Sequence, residues 1–365
     1  MKLAYISGAR IPSACAHSVH AMHMAEAMAD AGVSVTLYGM KGKKPKNANI
    51  YNLYGVKPNF RLGLAPCGDS RPFRSFLKGS YVLFRVLVLD RPQLCYGRDA
   101  KTLTLLATMG KKVWFEAQAL PETALEKRIL ARLFKAKNFR GIVCGSAALA
   151  QDLHNNFPEL KNKKTLVAPA GAMPQRGEPQ KPEAWQGREA HPQIGYIGSL
   201  DKGRGTEMVV NLANLLPEMD FHLIGGDVEQ VSHALPETMP ANLYFHGMLA
   251  HAAMPAYLSM FDIALAPFQT HLATQSWMSP VKIFEYMAAG KPIICSDLPV
   301  LHEILEPNNT ALFVKPDQTS EWVDAICYLA QNPERMYEMG ARARDTLERN
   351  FTWEKRARNI LAFIK

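Results

Sequence analysis

Short apolar runs rich in β-branched and aromatic residues alternate with helix-like stretches along almost the whole chain, and this alternation limits the fold more than any other feature. Residues 2–7 read as a strand, and a loop with Gly8, Pro12 and Ser13 follows. Residues 17–31 read as a helix closed by Gly32, and 33–38 as the next strand. Further strands are expected at 93–97, 112–116, 141–144 and 164–168, with helices at 74–89, 100–109, 122–138 and 146–155. The second half repeats the pattern, with strands at 193–198, 221–225, 242–246, 262–266 and 292–295. Its helices are expected at 205–216, 252–259, 280–289, near 299–305 and within 319–349. Alternation of this kind implies α/β architecture with doubly wound parallel sheets. The 365 residues, 48% of them apolar, are enough to fill two such cores. Two domains of this type would leave a cleft between the carboxyl edges of their sheets, where α/β ligands usually bind.

The boundary falls in residues 173–192, MPQRGEPQKPEAWQGREAHP, which lack apolar periodicity and read as an exposed linker. The expected domains are 1–175 and 190–350 with a linker at 176–189. The final stretch 351–365 is a helix with Trp353, Ala357, Ile360, Leu361 and Ile364 at helical spacing, expected to pack back on the first domain. Charge follows the same division. Residues 1–180 hold 27 Lys and Arg against 11 Asp and Glu, a net +16, whereas 181–365 hold 15 against 22, a net −7. The basic half suggests an anionic partner, such as a membrane surface or a phosphorylated acceptor; a solvated basic surface is the plainer alternative. No zinc-finger, helix-turn-helix or RNP-type signature accompanies the charge, so nucleic acid is not an expected partner. The longest apolar run, Tyr81 to Leu89, is interrupted by Arg85 and is far short of a membrane span. Six scattered cysteines without a C-x-x-C pair suit a reducing compartment. No signal peptide is recognised, so a cytoplasmic protein is expected, peripheral on the inner face of the cell membrane at most.

Several common chemistries lack their sequence marks. There is no G-x-G-x-x-G after the first strand, and the second strand ends at Tyr38, Gly39 and Met40 without an acid for a ribose. Walker-type, G-x-S-x-G, H-E-x-x-H and D-x-D patterns are also missing, and no metal site is expected. Two strand–helix junctions in the second half can hold an anion. In SPVKIFEYMAAGKPIICSDLP, residues 279–299, Ser279 is a good N-cap, Pro280 fits the first helical position and Gly290 the C-terminal end. The free N–H groups of such a helix would present a charge of about +0.5 to a phosphate, and Lys282 would add a full one. Glu285 lies roughly 7–8 Å along the axis from Pro280, a separation that suits a carboxylate on a pentose whose diphosphate sits at the helix end. The alternative makes Glu285 a surface carboxylate and Lys282 its solvated neighbour. The second junction is GYIGSLDKGRGTE, residues 195–207. Gly198, Gly203 and Gly205 allow close backbone approach, and Lys202 and Arg204 flank a helix start that would repel them unless an anion lay between.

These residues resemble glycosyltransferase family 4, retaining enzymes of the GT-B fold. The segment 279–297 is similar to that family's most recognisable stretch, and GYIGSLDKGRG to its diphosphate-binding loop. IPSACAHSVHAMHMAEAMADAGVSVTLYG (11–39) is similar to its first loop and helix. NLYFHGML (242–249) and FDIALAPF (261–268) are similar to its base-binding strand and the strand after it. The resemblance implies two Rossmann-like domains, a nucleotide-diphosphate sugar donor (UDP or GDP) held mainly by the second, retention at the anomeric carbon, and no cofactor or metal. Carried over, Glu285 binds the donor ribose, and Arg204, with Lys202 as the alternative, neutralises the diphosphate. Ser279, Pro280, Val281 and Lys282 support sugar and phosphates, as do Gly198, Ser199 and Gly247. Gly8, Ser13, His17 and Ser18 lie near donor phosphate and acceptor.

Two positions depart from the family pattern. Where the family motif has an earlier glutamate this chain has Trp277, and where the first domain often carries a histidine WFEAQAL (114–120) offers Gln118, which hydrogen-bonds but cannot become a cation. The expected function is transfer of a sugar from a nucleotide sugar to a glycan or lipid-linked acceptor in cell-surface polysaccharide synthesis. A non-catalytic nucleotide-sugar-binding protein and a sugar-nucleotide epimerase are the rival readings. The basic, aromatic stretch 71–92, with KGKKPK at 41–46, would rest on anionic lipid; a core helix with a basic edge is the alternative.

Overall fold

The computed structural model describes residues 1–43, 48–66, 71–175, 177, 179–226, 235 and 238–365, with side chains omitted for 71–77. Part of the 41–46 run and the side chains of Arg71, Phe73, Arg74, Phe76 and Leu77 therefore lie outside the described residues, as does Cys67. The chain divides into two compact units. The first comprises Met1–Ala170, Trp277–Ser279 and Trp353–Lys365, and the second Gly171–Ser276 and Pro280–Thr352.

The first unit is built on a parallel sheet of seven strands. In chain order these are β1 (Lys2–Ile11), β2 (Ser34–Lys41), β3 (Arg61–Ala65), β4 (Leu94–Gly97), β5 (Val113–Ala117), β6 (Phe139–Cys144) and β7 (Lys164–Val167). Their spatial order is β3-β2-β1-β4-β5-β6-β7, so the winding direction reverses between β1 and β4. Its helices are α1 (Ala16–Asp30), α2 (Ile50–Tyr54), α3 (Arg71–Phe84), α4 (Ala100–Thr108), α5 (Ala124–Lys135) and α6 (Ala147–Asn156). Local chemistry sets several starts. Asp99 caps α4 through Thr102 N, Ser146 caps α6 through Leu149 N, and Thr123 with Glu126 forms a capping box on α5. Strand β1 continues beyond Gly8 to Ile11, with a register shift against β2 between Ile6 and Arg10. Gly8 therefore lies within an irregular strand rather than in a loop.

The expected helix 74–89 changes character at its end. After Phe84 the backbone passes into a π-helical turn, Arg85–Asp90, in which Arg85 Nε lies 3.0 Å from the Asp90 carboxylate and Tyr38 donates to it. Arg91, at φ 43°, then closes the turn. Lys78 pairs with Asp99. Of the three described basic side chains of 71–92, Lys78 and Arg85 are thus engaged with carboxylates inside the unit, whereas Arg91 is exposed and donates to Val88 O at 3.0 Å.

The second unit holds a parallel sheet of six strands: β8 (Gln193–Ile197), β9 (Asp220–Ile224), β10 (Leu243–Gly247), β11 (Ile263–Ala266), β12 (Ile293–Ser296) and β13 (Leu312–Val314). Their order is β10-β9-β8-β11-β12-β13, the same pattern with its reversal between β8 and β11. The helices are α7 (Thr206–Leu215), α8 (Met254–Ser259), α9 (Val281–Ala288), α10 (Thr319–Gln331) and α11 (Pro333–Asn350). Ile194, Tyr196, Val209, Phe221, Ile263 and Trp322 are among its fully buried core.

The expectation of an exposed linker at 173–192 holds only in part. Trp185 stacks on His222 (ring centroids 4.2 Å apart) and on His246 (5.2 Å), and Arg188 donates to Asp220 from Nε (2.9 Å) and Nη2 (2.6 Å). An aromatic ring and a buried carboxylate fix what composition alone reads as loose chain. The last helix, α12 (Trp353–Ile364), belongs to the first unit, where Trp353 meets His20 edge-on at 4.8 Å and Trp114 meets Phe363 at 4.9 Å.

Candidate functional site

In the second unit the candidate residues gather at the carboxyl edge of the sheet. Gly198, Gly225 and Gly247 follow or end β8, β9 and β10, and all have positive φ (143°, 117° and 67°). Gly198 N donates to Ile224 O at 2.9 Å and Gly225 N to Gly247 O at 2.8 Å, so the three turns are laced side by side. A side chain at Gly198 would lie 2.8 Å from Lys282 Nζ, and one at Gly205 would strike Pro267 O at 2.0 Å. Glycine is required here both by backbone conformation and by the crowding of lysine and loop.

Lys282 is the most informative side chain of the group. It stands in the first turn of α9, is buried, and its Nζ finds no hydrogen-bond acceptor among the described residues. Its neighbours are ring faces, Tyr196 at 3.7 Å and Phe268 at 5.1 Å. Burial and the nearby Arg204 guanidinium hold its pKa well below the ordinary lysine range, against the pull of Glu285. An ammonium in this position is short of a counter-anion, and a second cation adds to the deficit. The alternative of a solvated Lys282 is excluded by this burial.

The start of α9 differs from the expectation. Pro280, with ψ 120°, is the N-cap and the helix begins at Val281. Ser279 does not cap it, because its Oγ accepts from Ala170 N at 2.8 Å within the first unit. The helix N-terminus consequently has no side-chain cap, which leaves its N–H groups to other acceptors. Gly290, at φ 63°, closes the far end. Tyr286, one residue beyond Glu285, locks α9 to the sheet by donating to Leu265 O (3.1 Å) and accepting from Ile197 N (2.8 Å). Glu285 is half-buried, and its Oε1 lies 2.6 Å from His251 Nε2. Arg204 is half-buried and Lys202 exposed, and among the described residues neither makes an ion pair. Ser199 is engaged with Asp201 across the turn.

The first unit holds the remaining candidates, Gly8, His17 and Gln118, at its own carboxyl edge. His17, in the first turn of α1, faces Gly8, and its Nε2 is buried without a partner. Burial, followed by the field of Arg98, lowers its pKa to about 4, so it is a neutral imidazole at physiological pH. Ser18 Oγ turns inward, where Ser13 O at 2.7 Å and Cys15 O at 2.8 Å are the two acceptors within reach of its one proton. Gln118 donates to Glu116 Oε1 at 3.3 Å. Trp277 packs against this unit's core, and its carbonyl accepts from Ser146 Oγ at 2.9 Å.

Sequence reasoning passed over His251, Tyr196, Arg98 and Glu116. The first three occupy positions at strand ends or just beyond, which the alternation pattern marks as ligand-facing in α/β sheets. Among the described residues no group of three or more His, Cys, Asp or Glu side chains is arranged to hold a metal ion.

Each unit is a doubly wound parallel sheet with its candidate residues at the carboxyl edge. Residues 204–362 match the family model described as glycosyl transferase-like. A protein of Bacillus subtilis named as a teichuronic acid biosynthesis glycosyltransferase, TuaH, is 26% identical over 181 residues, which cover 49% of this chain and 44% of the relative. The chain thus spans less than half the length of that relative. Among solved structures, sucrose-phosphate synthase from Thermosynechococcus elongatus superposes with a TM-score of 0.77 at 17% identity, over 99% of this chain and 98% of that one. HepE from Anabaena, solved with UDP-glucose, gives 0.69 at 12% identity over 99% of both chains. The fold is that of the GT-B glycosyltransferases.

Proposed function

We propose that this chain is a retaining glycosyltransferase that moves a sugar from a nucleotide-diphosphate sugar to a glycan or lipid-linked acceptor in cell-surface polysaccharide synthesis. The observation that carries this reading is Lys282, whose buried Nζ has no acceptor among the described residues and which is set in the first turn of an uncapped helix beside Arg204. A diphosphate at that point would relieve the deficit of negative charge and satisfy the helix N–H groups together. Gly198 and Gly247 would let it approach the backbone. Glu285 would accept the ribose hydroxyls.

In this mechanism the bond from the anomeric carbon to the diphosphate oxygen breaks while Arg204 and Lys282 stabilise the charge left on that oxygen. The acceptor hydroxyl adds from the same face and gives its proton to the departing phosphate oxygen. No protein base and no metal ion are required, because the two cations and the helix supply the stabilising charge. His17 and Gln118 would orient the acceptor or the sugar by hydrogen bonding. Attachment to a lipid surface would rest on Phe84, Val88 and Leu89, which are 55%, 49% and 57% exposed. With Lys78 and Arg85 engaged internally and Arg91 exposed beside Leu89, that attachment is expected to depend mainly on apolar contact and to keep a modest response to salt.

Thermal denaturation against a panel of UDP-, GDP- and ADP-sugars tests the reading. One donor class is expected to raise the melting temperature in wild type and not in Arg204→Ala or Lys282→Met. Transfer to a glycan acceptor in the presence of EDTA, with the α or β configuration of the product read by NMR, then separates a retaining transferase from a binding protein or an epimerase. No response to any nucleotide sugar, or inversion at the anomeric carbon, would refute it.

A further inference from the structure

The first unit buries a charge cluster for which the proposed function gives no account. Glu116, in β5, is 1% exposed, and its Oε1 accepts from three donors, Arg356 Nη2 at 2.6 Å, Arg98 Nη2 at 3.0 Å and Gln118 Nε2 at 3.3 Å. His20 Nε2 stands 3.0 Å away without hydrogen-bond geometry, and Tyr5 Oη donates to Oε2 at 3.4 Å. A carboxylate oxygen has two lone-pair directions, so this one is oversubscribed. Arg98 Nε, Arg356 Nη1 and His20 Nε2 are buried without partners among the described residues, as is His17 Nε2 nearby. The charge count is unequal as well. Two guanidiniums share one carboxylate, His20 is held neutral by burial, and Asp99, the next acid, is taken by Lys78.

The leftover donors are not all of one kind. Arg356 comes from α12 and also donates to Ala168 O and Pro169 O, which makes it a structural tie. Among the described residues the Arg98 side chain has a single partner, Glu116. It follows β4 directly, next to the point where the winding of the sheet reverses, the position at which open α/β sheets take their ligands. Its side chain is 7% exposed, and of the residues around it Gly8 and His17 are half-buried and Gln118 is exposed, so Gln118 is the solvent-facing member of the group.

We propose that Arg98, with His17 and Gln118, forms an oxyanion site at the carboxyl edge of the first unit's sheet, distinct from the diphosphate site of the second unit, and that it takes a phosphate or carboxylate group. Arg98 supplies the charge. His17, neutral, donates or accepts one hydrogen bond according to its tautomer, and Gln118 exchanges its long contact with Glu116 for the ligand. In a transferase this group would belong to the acceptor, so the enzyme would prefer acceptors that are phosphorylated or carry an acidic sugar.

The test uses the full chain with Arg204→Ala and Lys282→Met together, which removes the cations of the second unit. Glucose 1-phosphate and glucuronate are titrated separately by calorimetry, with glucose as the neutral control. The expected result is saturable binding of one of the two acids, identifying phosphate or carboxylate as the group, with no binding of glucose. Arg98→Gln is expected to weaken that binding at least tenfold, and His17→Asn to weaken it by a smaller factor. Circular dichroism shows whether Arg98→Gln is folded; Gln118→Ala, at an exposed position, serves as the second variant should it not be. Binding unchanged by these substitutions, or none of either acid to the folded parent, would reduce the cluster to a clamp for α12 and overturn the site. Nucleotide-sugar binding by the wild type is read in a separate titration, so either proposal can fail without the other.

Discussion

His251 Nε2 lies 2.6 Å from Glu285 Oε1, joining the loop after β10 to the middle of α9. The pair fixes the carboxylate that the proposed function assigns to the donor ribose and leaves Oε2 for a hydroxyl. His251→Ala would free Glu285 to rotate, and the cost should fall on donor binding rather than on the chemical step. The expected outcome is a rise of about tenfold in donor KM with kcat changed by less than about twofold, the size of one charge-assisted hydrogen bond. His251→Asn, which keeps a donor, should recover part of the loss. Steady-state kinetics with the donor found above reads both values, and a fall confined to kcat would contradict the assignment.

Lys282→Met should separate stability from function. The ammonium is buried against Tyr196 and Phe268 with no acceptor among the described residues, so a thioether of similar length removes an unfavourable charge and keeps the packing. The ligand-free variant is expected to melt higher than wild type by a few degrees, roughly 1 kcal/mol after the lost ring contact is counted. Nucleotide binding should fall by about a hundredfold, the contribution of a desolvated ion pair. Scanning calorimetry and a nucleotide titration decide it. A variant less stable than wild type would mean that Lys282 has a counter-charge in the free protein.

A pH dependence follows from the imidazoles packed under Trp185. Gln193 Nε2 donates to Arg188 O and His191 O, so its Oε1 must accept from His222 Nε2–H at 2.7 Å. That leaves His222 Nδ1 to accept from His246 Nε2–H at 3.0 Å. A proton on His222 would set two N–H groups against each other. Burial, and after it His246, lowers the His222 pKa from 6.5 to about 3. The unfolded chain binds this proton more readily than the folded one, so stability falls with pH below about 6.5 and continues to fall toward 3. His17, lowered to about 4, acts in the same direction. Urea unfolding between pH 7 and 4 should show this slope. His222→Asn, which offers both a donor and an acceptor but no titratable nitrogen, should make it shallower.

The sequence made the sheets legible because a doubly wound fold writes strand and helix as separate stretches, and the glycines at 198, 205 and 290 mark turns that only glycine adopts easily. It was less informative where tertiary partners decide. Residues 50–54 and 61–65 form a short helix and an edge strand that carry little periodicity, and Asp90 draws the end of α3 into a π turn through Arg85 and Tyr38. Ser279 has the composition of an N-cap, yet its hydroxyl is taken by Ala170, distant in sequence. The Glu285 and Lys282 positions could be found from spacing, but the burial of Lys282 and the presence of His251 beside Glu285 depend on strands far apart in the chain. Arg98, Glu116 and Arg356 form a cluster across 240 residues of sequence separation, which no local pattern can announce.

That separation leads to a prediction about the C-terminal helix. Arg356 ties α12 to β5 through Glu116 and to the chain after β7 through Ala168 and Pro169. Removing either partner breaks this tie, but only the loss of Glu116 strands buried charge. Arg356→Met leaves Glu116 still paired with Arg98 and should cost about 1–3 kcal/mol, the lost bonds to Glu116, Ala168 and Pro169. Glu116→Gln leaves two guanidiniums facing each other without a carboxylate and should cost more. If the edge at Arg98 is open to anions, millimolar phosphate should restore part of the stability of Glu116→Gln and none of that of Arg356→Met. Urea unfolding of both variants with and without phosphate checks the order and the rescue, and equal losses with no response to phosphate would show that the cluster acts only as a closed clamp.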